Sequence, residues 1–161
     1  MNYFGIVPVE CINGTGFGST LFVAGCEHHC RECFNKKTWN RYGGEPFTRE
    51  TMQHLKTCLD RPSITRLTIS GGDPLSVYNR MEVLHICEEI RRYKNVAIWI
   101  YTGYTAEDLQ KESPSFLAEL ALYATYLVDG QYEPNETHTK PFRGSDNQKI
   151  IRLSDMQEVV F

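Results

Sequence analysis

The chain has 161 residues, a single-domain length with room for one hydrophobic core and not for two. Its 41% hydrophobic and 23% charged residues are ordinary for a globular protein, and a net charge of −3 gives no electrostatic basis for a nucleic-acid partner. No apolar run approaches the roughly 20 residues of a membrane span, and Met1-Asn2-Tyr3-Phe4-Gly5 lacks the basic-then-apolar pattern of a signal peptide; the expected setting is the cytoplasm, where clustered thiols point to metal or catalysis.

Strand and helix patterns alternate along the chain. Residues 20–24 form a short apolar run, the pattern of a strand covered on both faces. A helix is expected from Thr48 to about Asp60, with Met52, Leu55 and Leu59 at helical spacing and Arg61-Pro62 as its stop. Residues 64–70 read as the next strand, closed by Gly71-Gly72. Asn79 then stands as an N-cap with Glu82 three residues on, a capping-box arrangement. Val83, Ile86, Cys87 and Ile90 give that helix its apolar face, and Arg91, Arg92 and Lys94 suit its negative end. Val96 to Tyr101 is a third strand. Thr105 and Ser113-Pro114 each suit a helix start, followed by the apolar stripe Phe116, Leu117, Leu120 and Ala121. Thr125 to Val128 is a fourth strand, ended by Asp129-Gly130. The polar stretch 131–147 reads as loop, and strands near 147–152 and 157–161 finish the chain.

This alternation calls for parallel strands joined by helical crossovers. The expected fold class is α/β: one domain over residues 1–161, an open partial (β/α) barrel with mostly parallel strands, because a closed eight-fold barrel takes about 250 residues. Chemistry in such folds collects at the C-terminal ends of the strands. Four segments fall there: Cys26–Cys33, Gly71–Pro74, Thr102–Tyr104 and Asp129–Tyr132.

Cys26, Cys30 and Cys33 read C-x-x-x-C-x-x-C on one short loop. Three thiolates hold three irons of a 4Fe–4S cube and leave the fourth iron open, whereas a purely electron-carrying cluster takes four cysteines. The other reading is structural zinc in a non-catalytic interaction module, with His28, His29 or a distant cysteine as fourth ligand. Such sites are built from separated C-x-x-C pairs, and the chain has no second pair. Cys11, Cys58 and Cys87 are dispersed and read as small buried hydrophobes. In Ser70-Gly71-Gly72-Asp73-Pro74 the glycines let backbone approach a ligand closely, and the Asp73 carboxylate suits an ammonium group. Thr102-Gly103-Tyr104, Val128-Asp129-Gly130-Gln131-Tyr132 and Phe142-Arg143-Gly144-Ser145-Asp146-Asn147-Gln148 each read alone as turn chemistry.

The cysteine spacing after an apolar run resembles the signature of radical S-adenosylmethionine (SAM) enzymes. The string from Cys33 to Trp39, C-F-N-K-K-T-W, is similar to the segment after the cluster cysteines in glycyl-radical-enzyme activating enzymes. Taken in order with the three turn segments and the opening Asn13-Gly14-Thr15-Gly16, where Thr15 replaces an expected proline, the chain resembles the activating components of anaerobic ribonucleotide reductases from Asn2 to about Ile150. The resemblance implies Cys26, Cys30 and Cys33 as metal ligands of one 4Fe–4S cluster whose fourth iron takes SAM. It implies Gly71, Gly72 and Asp73 at the amino group of SAM, and the backbone of Glu32, Cys33 and Phe34 against the adenine. Glu32 stands where many such enzymes carry an aromatic residue. Arg143, Asp146, Asn147 and Gln148 are implied to face SAM or the partner protein. The implied reaction is reductive cleavage of SAM to methionine and a 5′-deoxyadenosyl radical, which takes the Cα hydrogen of a glycine on the large catalytic subunit of the reductase. No catalytic residue beyond the cluster and SAM is implied, and the electron donor is of low potential, such as a flavodoxin. Activation of a different glycyl radical enzyme is the nearest alternative; the lack of added cysteine-rich ferredoxin-like segments favours the reductase.

Overall fold

In the computed structural model, which describes all residues from Met1 to Phe161, the apolar runs pair into one open eight-stranded sheet. The strands are β1 (Asn2–Glu10), β2 (Phe17–Val23), β3 (Glu45–Pro46), β4 (Ile64–Gly71), β5 (Ala97–Tyr101), β6 (Tyr126–Asp129), β7 (Lys149–Arg152) and β8 (Gln157–Glu158). Their order across the sheet is β3-β1-β2-β4-β5-β6-β7-β8. Helices α1 (Arg49–Leu59), α2 (Arg80–Tyr93), α3 (Ala106–Glu112) and α4 (Pro114–Tyr123) lie in the connections between β2 and β6.

The parallel core expected from the alternation runs through β2, β4, β5 and β6. Antiparallel strands extend it at both edges, β1 and β3 on one side and β7 and β8 on the other. Short turns explain two of these pairs: residues 11–16 join β1 to β2 and residues 153–156 join β7 to β8, and a short turn returns a strand only antiparallel; β6 and β7 are instead joined by the long segment 130–148. The sequence pattern did not foresee β1 or β3. Gly5 and Pro8 interrupt β1, and its pairing with β2 shifts register between Tyr3 and Gly5 and between Val7 and Glu10. Pro8 is tolerated at this break, on a strand whose outer side is paired only at Asn2 and Tyr3.

All four helices pack on one face of the sheet. On β4, Leu67 and Ile69 point to that side and join a core cluster with Leu55 of α1, Ile86 of α2, Leu109 of α3 and Leu120 of α4, each fully buried. Burying an aliphatic side chain of this size contributes about 1.5–3 kcal/mol. Strand alternation sends Arg66 and Thr68 to the opposite face, where both are also buried. That face carries no helix. Its apolar cluster, Trp99, Val128 and Ile150, is covered by Phe142, Val159 and neighbouring strand residues.

At the start of α1, the Thr48 hydroxyl accepts from Thr51 N while Thr48 N donates to the Thr51 hydroxyl, a reciprocal cap. Thr105 caps α3 through Asp108 N, and Pro114 opens α4 as expected. The capping box expected at Asn79 does not form. Asn79 precedes α2, but its side chain turns away to donate to the carbonyls of Ala24 (2.8 Å) and Asp73 (2.9 Å). Those buried carbonyls need a donor more than the exposed helix end does. No helix is long and apolar enough to cross a membrane.

Candidate active site

A cavity of about 480 Å³ opens at the C-terminal ends of the parallel strands. Cys26, Cys30 and Cys33 form one wall of it, Gly71, Gly72 and Asp73 another. Thr102 and Gly103 beyond β5, and Gly130 and Tyr132 beyond β6, complete the ring. The four strand-end segments singled out in the sequence therefore meet at one place.

The cysteine loop leaves β2 and is closed at its base by backbone bonds from Gly25 N to Thr38 O (2.7 Å) and Cys26 N to Trp39 O (3.1 Å). Within it, Cys33 N donates to Cys30 O, and His29 and Glu32 take left-handed backbone angles, φ 49° and 56°. In the metal-free chain burial pushes the Cys26 thiol up to about 11, with the Asp73 charge adding to the shift, and burial also raises the Cys30 thiol. Cys58 and Cys87 are buried on α1 and α2 as expected; Cys11 is exposed, contrary to the small-hydrophobe reading, because the turn after β1 faces solvent there. None of these three lines the cavity.

The two glycines after β4 are required by packing. A Cβ on Gly71, whose φ is +104°, would lie 2.7 Å from the Val23 carbonyl, and one on Gly72 would lie 2.4 Å from that of Gly25. Their small size thus brings the turn against the end of β2, beside the cysteine loop. The Gly72 carbonyl receives no donor from the protein.

Asp73 is 1% exposed, and its carboxylate is engaged within the protein. One oxygen accepts from Leu75 N (2.8 Å) and the Thr102 hydroxyl (2.8 Å), the other from His28 Nε2 (2.7 Å) and Gly103 N (2.9 Å). The carboxylate is thus held from within the protein, at the wall of the cavity. The Glu32 side chain is 69% exposed beside Arg31 and lines no part of the cavity. Phe34 lies at the rim, 78% exposed, its ring 5.0 Å from that of Tyr132.

The segment 131–147 is irregular, as read from sequence, and its polar residues largely organise the segment itself. Gln148 accepts from Gly144 N (2.7 Å) and donates to Gly130 O (2.7 Å). Asn147 donates to Gln131 O, and Arg143 to Gln148 O. Asp146 collects Thr137, Thr139 and Lys140, which holds its carboxyl well below the ordinary range. Arg143 and Gln148 also line the cavity.

Sequence reasoning missed His28 and Thr102 as partners of Asp73, and Glu10 and Arg66 as supports of the residue 11–16 turn. Two adjacent histidines between the first two cysteines of the loop were the visible signal for the first. The others depend on strand adjacency that no local pattern carries.

Residues 12–151 match the family described as a 4Fe-4S single cluster domain, which places the chain in the single-cluster iron–sulfur class. Over 156 residues it is 39% identical to the anaerobic ribonucleoside-triphosphate reductase-activating protein of Enterobacteria phage T4, covering 96% of each chain. Identity is 36% over 157 residues to the protein of that name from Haemophilus influenzae (95% of this chain, 99% of the relative) and 34% over 158 residues to that from Pasteurella multocida (96% and 99%). The chain belongs to this family of activating proteins.

Proposed function

We propose that the chain activates an anaerobic ribonucleotide reductase by radical SAM chemistry, with its open sheet acting as a partial (β/α) barrel of the radical SAM type. The observation that carries this reading is the meeting, in one cavity, of three cysteines from a single loop with the Gly71-Gly72-Asp73 turn. The donor set fits a 4Fe–4S cluster with one open corner. Cys26, Cys30 and Cys33 would be its ligands, and His28 is committed elsewhere, its Nε2 on Asp73 and its Nδ1 facing Gln131. When bound and reduced, the cluster supplies one electron to the sulfonium of SAM, giving methionine and a 5′-deoxyadenosyl radical that takes the glycine Cα hydrogen and leaves as 5′-deoxyadenosine.

The protein's part is placement and exclusion. The three thiols give up their protons as they take the metal. The free Gly72 carbonyl offers an acceptor to the ammonium of SAM, and the buried Asp73 charge makes the turn favourable for a cation. The backbone of Cys33 and Phe34, which line the cavity, meets the adenine, and the Phe34 and Tyr132 rings supply apolar surface at the mouth. Phe22, Trp39, Tyr101 and Phe142 restrict water around a site where a primary radical forms. The opening is left for a glycine loop of the large reductase subunit, the protein substrate; a low-potential, flavodoxin-like carrier supplies the electron.

The test is anaerobic reconstitution with iron and sulfide, followed by SAM and dithionite. Formation of 5′-deoxyadenosine is expected, together with the paramagnetic doublet of a glycyl radical once the large subunit is added. Cys26→Ala, Cys30→Ala and Cys33→Ala should each lower turnover at least about a thousandfold, the scale of losing an essential catalytic group. Cys58→Ala should leave it nearly intact. A colourless zinc-loaded chain, or equal losses from all four variants, would reject the proposal.

A further inference from the structure

We propose that His28 is a positioning residue: through Asp73 it locks the cysteine loop to the Gly71–Asp73 turn, and so sets the spacing between the open iron and the groups that hold SAM. The inference rests on the radical SAM reading of the site.

His28 lies between Cys26 and Cys30, yet its side chain is only 9% exposed. Its Nε2 donates to the Asp73 carboxylate at 2.7 Å, and its Nδ1 faces the Gln131 side-chain amide at 3.3 Å. The ring meets Tyr104 edge-on with centroids 4.6 Å apart. Its other side lies against Gly103, where a Cβ would come within 2.4 Å of Cδ2. The imidazole is thus seated by four residues from the ends of three strands. The loop's other side-chain bonds to distant residues, Glu27 to Tyr104, Cys30 to Gln131 and Arg31 to Asn135, lie in solvent and constrain it weakly.

Asp73 sits at the opposite end of this contact and is itself fixed. Thr102 and Gly103 hold its carboxylate, and Asn79 holds its carbonyl together with that of Ala24, the last residue before Gly25 and the loop. A cluster bound by three cysteines of one loop moves with that loop. SAM bound at the turn moves with β4. Backbone bonds from Asp73 N to Gly25 O (2.7 Å) and from Gly72 N to Val23 O (2.8 Å) join the turn to the base of the loop, and His28–Asp73 is the buried side-chain link that reaches the stretch between Cys26 and Cys30. A displacement of about 1 Å at such a junction is enough to impair a reaction that depends on alignment.

Three variants of the full chain test this: His28→Ala, Gly103→Ala and the double substitution. Gly103→Ala leaves both hydrogen-bonding partners in place but drives a methyl group into the space of the ring. Iron and sulfide content should match the unmodified chain in all three. The KM for SAM should rise about tenfold in each single variant, the worth of one buried charge-assisted hydrogen bond, and the change that SAM causes in the reduced cluster's paramagnetic spectrum should shrink. The double variant should be no worse than His28→Ala, because the methyl and the ring compete for one space. In the metal-free chain, tryptic cleavage after Arg31 should speed up about tenfold in both single variants. The proposal fails if the single variants keep the unmodified KM and spectrum, if their effects multiply in the double variant, or if His28→Ala loses iron as a cysteine variant does. If the unmodified, cluster-loaded chain makes no 5′-deoxyadenosine, the functional reading fails and the SAM-spacing role with it, whereas the tryptic assay still decides whether the link itself exists.

Discussion

Glu10 and Arg66 do not line the cavity, yet they hold one wall of it in place. The Arg66 guanidinium is fully buried and meets the Glu10 carboxylate at 2.8 Å. It also donates to the carbonyls of Asn13 (2.7 Å) and Thr15 (3.2 Å). Glu10 accepts from Ile12 N, Asn13 N and the Thr20 hydroxyl. The turn 11–16 is folded around this pair, and its Ile12 and Asn13 reach the cavity. Gly14, with φ +134°, is required because a Cβ there would lie 2.6 Å from Arg66 Cδ. Glu10→Gln should destabilise the chain by about 3 kcal/mol at neutral pH, since a buried guanidinium loses its counter-charge. Burial opposes the Glu10 charge, but Arg66, Thr20 and the two amides outweigh it and hold the carboxyl below its ordinary 4.5. A depressed folded value means that the stabilisation is complete above 4.5 and is lost as pH falls through the lower, folded value. Thermal melts of the two chains should therefore converge on acidification below that range. A gap that stays constant from pH 7 to pH 3 would show that the charge on Glu10 is not what stabilises the turn.

At the scale of elements, Asp129 shows how one strand end organises the next helix. It is 5% exposed, and its Oδ2 accepts from Ala106 N at 2.7 Å, so the end of β6 caps the first turn of the helix that follows the adjacent strand β5. Asp129→Ala should cost about 1–2 kcal/mol, the scale of a lost cap. Amide exchange at Ala106 should quicken while the cluster still assembles, since no iron ligand is involved; protection unchanged at Ala106 would mean that water or Thr105 replaces the carboxylate. Elements such as β4 and α1 were legible because each buries one face against the other: the periods of two and 3.6 in Leu67-Thr68-Ile69 and in Met52, Leu55 and Leu59 are the record of that burial. β1 carries no such record, since Gly5 and Pro8 break its alternation and its register comes from β2. Asn79 was legible as a helix start and illegible as a strut, because the carbonyls it serves belong to residues 55 and 6 positions away. The site divides in the same way. Three clustered cysteines and paired glycines are written locally, whereas the Asp73–Thr102 contact exists only because β4 and β5 are neighbours.

Over the whole molecule, placing every helix on one face leaves the other side of the sheet to be closed by something else. The C-terminal-end half of that side holds the cavity, and an aromatic group seals the rest. Trp99 is fully buried there, with ring centroids of Tyr126 at 4.7 Å, Phe161 at 5.4 Å and Phe142 at 5.7 Å. Phe142 belongs to both parts: it lines the cavity and packs on Trp99, while its carbonyl accepts from the Tyr101 hydroxyl. Stability and site shape are thus coupled through one aromatic wall. Phe161 is 42% exposed and contributes only one side of that wall, so Phe161→Ala should cost about 1–2 kcal/mol, below the cost of emptying a fully enclosed aromatic site. In a Trp39→Phe background, where Trp99 is the only indole, the same substitution should move the emission to longer wavelength as water reaches the ring. Iron incorporation should be unchanged, because the three cysteines are anchored from β2 and residues 38–39 on the far side of the cavity. An unshifted emission with full stability would show that strand residues alone seal Trp99. Loss of iron along with the shift would show that Phe142 transmits the disturbance across the cavity to the cysteine loop.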